Sequence, residues 1–221
     1  MNKAIILVSG GLDSLITSAI AHKENDEIYF LHINYGQNTE KKELESFHKI
    51  SDYYKPKQIQ IVNIGYLKNF GGSILLDSKF VSSEHNESDI VPETYVPFRN
   101  GNMIAIASAY AETIRATRIY IGAIEAEGSN YPDCRGVFFE YMGKAINYGT
   151  KNNFSVKIIT PLLNMTKAEI VKLGYELKAP MELSWSCYFD NEIACGQCDS
   201  CYLRLKSFKE AGLIDPIPYR K

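Results

Sequence analysis

The sequence lacks the features that mark membrane, exported and broadly nucleic-acid-binding proteins. No apolar run approaches the roughly 18 residues that a membrane-spanning helix needs. The opening Met1-Asn2-Lys3 leads directly into a strand-like run, so we expect no signal peptide. Lysine and arginine number 24 against 26 aspartates and glutamates, a net charge of −2 without the basic excess of a nucleic-acid surface. These absences predict a cytoplasmic protein that engages neither membrane nor nucleic acid.

Internal repeats and low-complexity tracts are missing as well. Of the 221 residues, 45 % are hydrophobic and 23 % are charged, which is the balance of an ordinary globular protein. At this length a folded chain buries roughly 70 % of the surface that its unfolded form exposes. The sequence therefore predicts one domain, or one domain with a small appendage.

Hydrophobic periodicity alternates between strand and helix along most of the chain. Short apolar or alternating runs predict five strands, over residues 4–8, 27–33, 58–64, 118–124 and 156–159, with the third near an edge. Helical spacing predicts helices after the first strand, over 41–54, 102–117 and 137–148, and from Thr166, where Glu169 is placed as in a capping box. This alternation predicts an α/β fold, a parallel five-stranded sheet with helices on both faces. Ligands of such sheets bind beyond the carboxyl ends of the strands.

Two stretches depart from the alternation. Residues 65–92 contain two adjacent glycines and a polar run, which predict a long excursion with a mobile part. The region from residue 179 onward holds most of the cysteines. We therefore expect an α/β domain over residues 1–178 and a metal-binding segment over residues 179–221 packed on it.

The loop after the first strand reads Ser9-Gly10-Gly11-Leu12-Asp13-Ser14. Glycines there let the backbone approach an anion, and the following helix presents free N–H groups. The two serines add hydroxyl donors, and the aspartate suits a divalent cation that bridges phosphates. The string is neither a Walker A sequence nor a dinucleotide fingerprint. The structural alternative is a tight strand-to-helix turn capped by Ser or Asp.

Four of the five cysteines lie within fifteen residues: Cys187, Cys195, Cys198 and Cys201. Such a tight cluster indicates a metal site, and four thiolates leave no open position, so the site should be structural. Zinc is favoured, with an iron–sulfur cluster or four unbound thiols as alternatives. Cys134 stands alone and is either a small buried residue or a thioester-forming nucleophile. Trp185, the one tryptophan, borders the cluster and is expected to pack there.

The glycine loop resembles the pyrophosphate loop of the N-type ATP pyrophosphatases, which cleave ATP between the α and β phosphates. Three further motifs narrow the resemblance: Tyr95-Val96-Pro97-Phe98-Arg99-Asn100, Tyr131-Pro132-Asp133-Cys134-Arg135, and the cysteine cluster followed by Arg204 and Asp215-Pro216-Ile217-Pro218-Tyr219 near the end. Together, and in order from residue 6 to 219, they resemble the 7-cyano-7-deazaguanine synthase (QueC) family. The resemblance implies a Rossmann-like, adenine nucleotide alpha hydrolase-like fold with a small C-terminal zinc-binding helical lobe.

The resemblance also implies an activity. Members of that family are C–N bond-forming ligases that use ATP, Mg²⁺ and free ammonia to convert 7-carboxy-7-deazaguanine into the nitrile, 7-cyano-7-deazaguanine (preQ0). The route passes through an adenylated carboxylate and an adenylated amide, and the product is a precursor of queuosine or archaeosine. The family commonly forms homodimers, and its zinc ligands correspond to the four clustered cysteines.

The motifs yield a set of candidate site residues. Those expected to act in catalysis are Asp13, Ser14, Arg99 and Asp133. The nucleotide, magnesium and substrate contacts are expected at Val8, Ser9, Gly10, Gly11, Leu12, Asp13, Ser14, Arg99, Asn100, Glu125, Tyr131, Asp133, Arg135 and Lys167. Within this set, the loop residues and Lys167 would bind phosphates. Arg99 would bind either a phosphate or the substrate carboxylate. Asp133 and Arg135 would read a purine-like edge.

Several candidates outside the loop have a purely structural alternative. Arg99 could form a surface ion pair instead, and Asn100 could be the N-cap of the following helix. Asp133 could serve only to form the turn after Pro132. Glu125 suits an exposed loop and Lys167 a solvated helix face.

Three other functions stay open at this point. A tRNA-thiolating enzyme uses a similar loop, although no basic surface or persulfide cysteine is evident. A relative that conjugates a deazaguanine to a protein partner would share every motif. The last alternative is a non-catalytic, zinc-stabilised nucleotide-binding module.

Overall fold

The computed structural model describes residues 2–76, 91–125 and 130–220. In this part of the chain the strands are β1 (Lys3–Leu7), β2 (Glu27–Asn34), β3 (Gln58–Asn63), β4 (Arg118–Tyr120) and β5 (Lys157–Ile159). The helices are α1 (Leu12–Glu24), α2 (Glu40–Tyr54), α3 (Tyr66–Phe70), α4 (Arg99–Ile114), α5 (Gly136–Gly149), α6 (Lys167–Glu176) and α7 (Asp199–Glu210). Single turns of 3-10 helix lie at Pro132–Cys134 and Met181–Leu183.

The strands form one sheet in the order β3-β2-β1-β4-β5, and every neighbouring pair is parallel. The chain order reverses direction at β1, because β2 and β3 lie on one side of it and β4 and β5 on the other. In open α/β sheets this switch point opens a crevice at the carboxyl ends of the strands. The predicted α/β fold and its five-stranded parallel sheet are confirmed.

Each face of the sheet carries its own apolar layer. Alternate side chains of β1 point to opposite faces, as the strand period of two requires. Ile5 and Leu7 are buried with residues of α4 and α5, whereas Ala4 and Ile6 are buried with residues of α1, α2, α6 and α7. Helices therefore cover both faces, as predicted.

Several element boundaries match the prediction and some do not. β3 is an edge strand, with Ile59 and Ile61 exposed, and Thr166 opens α6 with a complete capping box. β4 ends at Tyr120 rather than 124, opposite Ile159, the last residue of β5. Beyond it the chain passes closely against α1 at Gly122, where a Cβ would stand 2.9 Å from the Asp13 carbonyl oxygen.

The start of α4 also differs from the prediction. The helix begins at Arg99 rather than at 102, behind Phe98, which adopts a left-handed conformation with φ of 53°. Asn100 is thus the second helical residue, and the alternative that it serves as the N-cap is wrong. Of the predicted excursion over 65–92, α3 and the buried Leu75 and Leu76 are described, whereas residues 77–90 lie outside the described residues.

None of the helices that the structure describes is both long enough and apolar enough to cross a membrane.

The C-terminal segment shares the core of the α/β domain. Phe208 of α7 is 1 % exposed and belongs to the apolar layer that also contains Ile16 of α1 and Phe47 of α2. A smaller apolar group, centred on Trp185 and the cysteines, belongs to the segment itself. The division of the chain at residue 178 stays a prediction.

Replacing Phe208 tests how firmly this segment is joined to the α/β domain. We expect Phe208→Ala to lower the free energy of unfolding by about 3–5 kcal/mol, because it leaves a cavity in a shared core. Denaturant unfolding should show one transition at a lower midpoint. Tyr148→Ala, at a side chain that is 91 % exposed, is the matched control and should leave the midpoint unchanged. If the parent chain instead shows two transitions, and the substitution affects only the smaller one, the C-terminal segment unfolds independently of the α/β domain.

Candidate active site and metal cluster

A cavity of about 600 Å³ lies at the carboxyl ends of the central strands. The glycine loop, the end of β2, the start of α4, the turn at Tyr131 and the C-terminal segment all contribute to its lining. The predicted site residues that line it are Val8, Ser9, Gly11, Leu12, Asp13, Ser14, Arg99, Asn100, Tyr131 and Lys167. Residues that are far apart in the sequence therefore meet where the sheet topology places a ligand site.

The glycine loop is held by its own hydroxyls and leaves the helix end uncapped. Ser9 Oγ accepts from the Gly11 N–H at 3.2 Å and donates to Ser14 Oγ at 3.2 Å, while Ser14 Oγ donates to the Gly11 carbonyl at 2.9 Å. No side chain caps α1, so the capped-turn alternative is wrong. The amides of its first turn remain oriented toward the loop, where an anion is favoured.

Gly10 shows why the loop needs glycine. Its φ is +94°, and a Cβ there would stand 2.5 Å from the Glu43 carbonyl oxygen. Any other residue at this position would have to adopt an unfavourable positive φ, and its Cβ would collide with the backbone of α2.

Asp13 and Lys167 form a charged pair beside the loop. Lys167 Nζ lies 2.7 Å from Asp13 Oδ2, so the solvated-face alternative for the lysine is wrong. Asp13 Oδ1 is buried and has no hydrogen-bond partner among the described residues. A buried, unpartnered carboxylate oxygen suits a hard divalent cation such as Mg²⁺.

Arg99 occupies another part of the cavity. Its Nη1 donates to the Tyr35 hydroxyl at 3.0 Å, and its guanidinium lies 5.1 Å from the centre of the Tyr35 ring. Among the described residues no carboxylate lies within ion-pair distance of it, so the surface ion pair is not seen. Burial raises the pKa of Tyr35 to about 12, and also that of Tyr131 and Tyr188, with the Arg99 charge opposing each rise. A half-buried cation without a carboxylate partner among the described residues suits an anionic ligand.

Asp133 faces away from the cavity, toward the start of α4. Its Oδ2 accepts from the Asn100 backbone N–H at 2.8 Å, and Asn100 Nδ2 donates to Asp133 Oδ1 at 3.3 Å. Burial raises the pKa of Asp133, and the hydrogen bonds from Asn100 and the charge of Arg99 oppose that rise. Asn100 Nδ2 also lies 3.2 Å from Cys134 Sγ. The Asp133 carboxylate thus satisfies a helix-end amide and steadies the turn that carries Arg99.

Besides Asp133, three predicted contacts do not reach the lining of the cavity. The exposed Glu125 accepts from the Gly136 N–H at 2.8 Å, at the start of α5. Arg135 is exposed, one residue before the same helix. Gly10 contributes through its backbone instead, since its carbonyl accepts from the Trp185 N–H at 2.9 Å.

The four clustered cysteines converge on one point. Their Sγ atoms all lie within 4.8 Å of one another, and those of Cys195 and Cys201 are 3.9 Å apart. A tetrahedral ion with sulfur ligands at about 2.3 Å has sulfur–sulfur edges of about 3.8 Å. An iron–sulfur cluster would spread its thiolates over several irons, so the spacing favours one ion. Backbone N–H groups of Gln197 and Cys198 point to Cys195 Sγ at 3.5 and 3.3 Å and orient this sulfur toward the other three.

A family model described as queuosine biosynthesis protein QueC matches residues 3–212, which is nearly the whole chain. The chain belongs to the QueC family. A 7-cyano-7-deazaguanine synthase from Chlorobium phaeobacteroides is 49 % identical over 99 % of this chain and 97 % of its own length. A protein of the same name from Nitratiruptor sp. is 46 % identical, with 99 % of each chain covered. The predictions of family and of an enzyme in the ligase class are confirmed.

Solved structures support the fold of this QueC-family chain. NMN synthetase from Francisella tularensis superposes with a TM-score of 0.52 at 15 % identity, covering 96 % of this chain and 78 % of the other. A 4-thiouridine synthetase in complex with RNA and bound ATP superposes with a TM-score of 0.51 at 19 % identity, covering 96 % of this chain and 50 % of the other. At such identities the likeness shows the fold alone.

Sequence reasoning missed several cavity residues of this family member. Tyr35 lines the cavity directly after β2, at the kind of strand end where ligands bind, and that position was the available signal. Tyr188 and Ser200 line it from the cysteine segment. Their only signal was proximity to the cysteines, which does not show which side chains face the α/β domain.

Metal analysis tests the cysteine cluster. We expect one zinc ion per chain, and chelation should lower the melting temperature by roughly 10 °C or more, because metal-binding energy is folding energy. Cys201→Ser should lose the metal, whereas Cys134→Ser, the matched control, should retain it. A metal-free chain that melts at the same temperature would contradict the structural role.

Proposed function

We propose that the chain converts 7-carboxy-7-deazaguanine, ATP and free ammonia into 7-cyano-7-deazaguanine, in the formation of queuosine or archaeosine precursors. The observation that carries the proposal is the full-length likeness to proteins named 7-cyano-7-deazaguanine synthase. The cavity supports it, because groups suited to a cation and to anions line the same space.

The glycine loop is the proposed phosphate site. Ser9, Gly11 and Ser14, with the uncapped start of α1, would hold the pyrophosphate portion of ATP. Asp13, through its unpartnered Oδ1, would hold Mg²⁺, which supplies charge neutralisation on the phosphates when bound. Lys167, beside Asp13, would meet the charge that develops as pyrophosphate departs.

Arg99 is the proposed anchor of the substrate carboxylate. Its guanidinium offers the planar, two-pronged donor geometry that a carboxylate accepts. Tyr35 and Tyr131 line the same region of the cavity and offer aromatic surfaces to a planar heterocycle. Asp133 and Asn100 would act by fixing the start of α4, and hence the direction of Arg99.

The chemistry needs two activations because oxygen must leave twice. In the first, a carboxylate oxygen attacks the α-phosphorus and pyrophosphate leaves; ammonia then displaces AMP to give the amide. In the second, the amide oxygen attacks the α-phosphorus of another ATP and pyrophosphate leaves again; loss of AMP and of the two N–H protons then leaves the nitrile. One loop that stabilises departing pyrophosphate can serve both activations.

The remaining expectations belong to the same proposal. Zinc at the four cysteines would be structural, the ammonia would come from solution, and the protein would act as a cytoplasmic homodimer. The segment from residue 179 would form a zinc-binding lobe that closes one side of the cavity. Trp185 and Tyr188, which line the cavity from that segment, support this arrangement.

Direct assay tests the activity. Purified protein with Mg²⁺, ATP, ammonium and 7-carboxy-7-deazaguanine should yield the nitrile, detected by mass spectrometry, and omission of ATP should abolish it. Accumulation of the amide alone would favour a partner that diverts the intermediate. No change in the substrate while ATP still binds would contradict the proposal in favour of a nucleotide-binding module.

Substitution of Asp13 tests the phosphate site. We expect Asp13→Ala to lower kcat by at least about a hundredfold, because it removes the cation ligand at the departing pyrophosphate. The melting temperature should stay within a few degrees, since Asp13 Oδ1 has no partner among the described residues and Oδ2 pairs with a partly exposed lysine, Lys167. Asp52→Ala, at an exposed carboxylate of α2, is the control and should keep full activity. Full activity of Asp13→Ala would refute the role of the loop.

A further inference from the structure

The C-terminal segment makes a main-chain contact with the glycine loop. The N–H of Trp185 donates to the carbonyl of Gly10 at 2.9 Å. The peptide unit that joins Gly10 to Gly11 is planar, so a fixed carbonyl fixes the direction of the Gly11 N–H on its other side. Gly11 lines the cavity, whereas Gly10 does not. The Gly11 N–H donates to Ser9 Oγ at 3.2 Å, so the contact with Trp185 fixes the Gly11 amide and, through it, a serine hydroxyl that lines the cavity.

Arg204 of α7 holds the residues on both sides of Trp185. Its Nη1 donates to Ser184 Oγ at 2.8 Å and to Ser186 Oγ at 3.1 Å. Its Nη2 donates to the Met181 carbonyl at 3.2 Å. The side chain of Arg204 in α7 thus holds the backbone on both sides of the Trp185 N–H.

Asp215 completes the arrangement from near the end of the chain. Arg204 Nε and Nη2 donate to its two oxygens at 2.8 and 3.0 Å, and the two side chains are only 2 % and 3 % exposed. Asp215 also accepts from the Tyr219 hydroxyl at 2.6 Å and the Ile217 N–H at 3.2 Å. All five N–H donors of Arg204 have protein acceptors, so this arginine has none left for a phosphate.

We propose that Arg204 and Asp215 are positioning residues for nucleotide binding, acting through Ser184, Ser186 and the Trp185 peptide on the Gly10–Gly11 peptide of the loop. The inference rests on the proposed function in taking ATP as the ligand of the loop. Two residues near the C-terminus would therefore contribute to ATP affinity, although they belong neither to the glycine loop nor to the four cysteines.

A proline substitution isolates the main-chain contact. Trp185→Pro and Trp185→Ala both remove the indole, but only proline removes the N–H that reaches Gly10. Ser184, at φ −86° and ψ 150°, already has the extended conformation that a following proline requires. We expect the Kd for Mg·ATP, measured by calorimetry without substrate or ammonia, to be about tenfold higher for proline than for alanine, the scale of one lost hydrogen bond. Equal Kd values would overturn the proposal.

A second variant keeps the test decisive if the proline chain does not fold. Arg204→Lys retains the charge but cannot supply five fixed donors. We expect it to raise the KM for ATP several-fold while the KM for 7-carboxy-7-deazaguanine and the bound metal stay unchanged. A merely structural role would raise both KM values and lower the bound metal together, and that result, like an unchanged KM for ATP, would overturn the proposal. Lys206→Ala, at a half-exposed position of the same helix, is the control.

The calorimetric readout separates this inference from the function on which it rests. A parent chain that binds Mg·ATP but forms no nitrile would refute the proposed reaction while the comparison of Trp185→Pro with Trp185→Ala still decides the positioning role. A parent chain that binds no ATP would overturn both.

Discussion

The site depends on a loop whose backbone is packed too closely for side chains. At Gly10 a Cβ would stand 2.5 Å from the Glu43 carbonyl oxygen, and at Gly122 it would stand 2.9 Å from that of Asp13. These two contacts place the start of α1 between α2 and the continuation of β4. Because Cβ atoms do not approach carbonyl oxygens so closely, a larger residue at either place would move the loop. The free amides of α1 keep their direction only while both glycines are present.

Two opposite charges at the cavity remain incompletely satisfied by the described residues. Asp13 has one buried oxygen without a partner, and Arg99 has a tyrosine hydroxyl but no carboxylate. Removing such groups from water costs free energy that a partner must offset. A fold selected for stability alone would pair them with each other or replace them. The presence of both charged groups at one cavity is explained if a cation binds at Asp13 and an anion binds at Arg99. Ligand binding then supplies the interactions that the fold does not.

Periodicity predicted the sheet, the helices and the edge of the sheet at which the cavity lies, because burial on one face of an element leaves a regular trace in the sequence. The directions of individual side chains left no such trace. The motif around Asp133 identified the correct turn, yet the carboxylate serves the Asn100 amide because α4 begins at Arg99. That start depends on a positive φ at Phe98, a conformation that residue type does not reveal. Tyr35 was missed because an aromatic residue after a strand looks like core.

The cysteine segment is too small to hold its shape by apolar burial. Its own apolar group contains little besides Trp185, Ala194, Ile217 and the thiols, so a metal ion is the natural source of its stability. The same segment carries the Trp185 N–H that contacts the loop, through residues fixed by Arg204. If a metal stabilises the conformation in which that contact forms, thermodynamic linkage requires nucleotide binding to strengthen metal binding by the same factor. A structural metal remote from the reacting atoms would then still contribute to nucleotide affinity, because both ligands favour one arrangement of the loop.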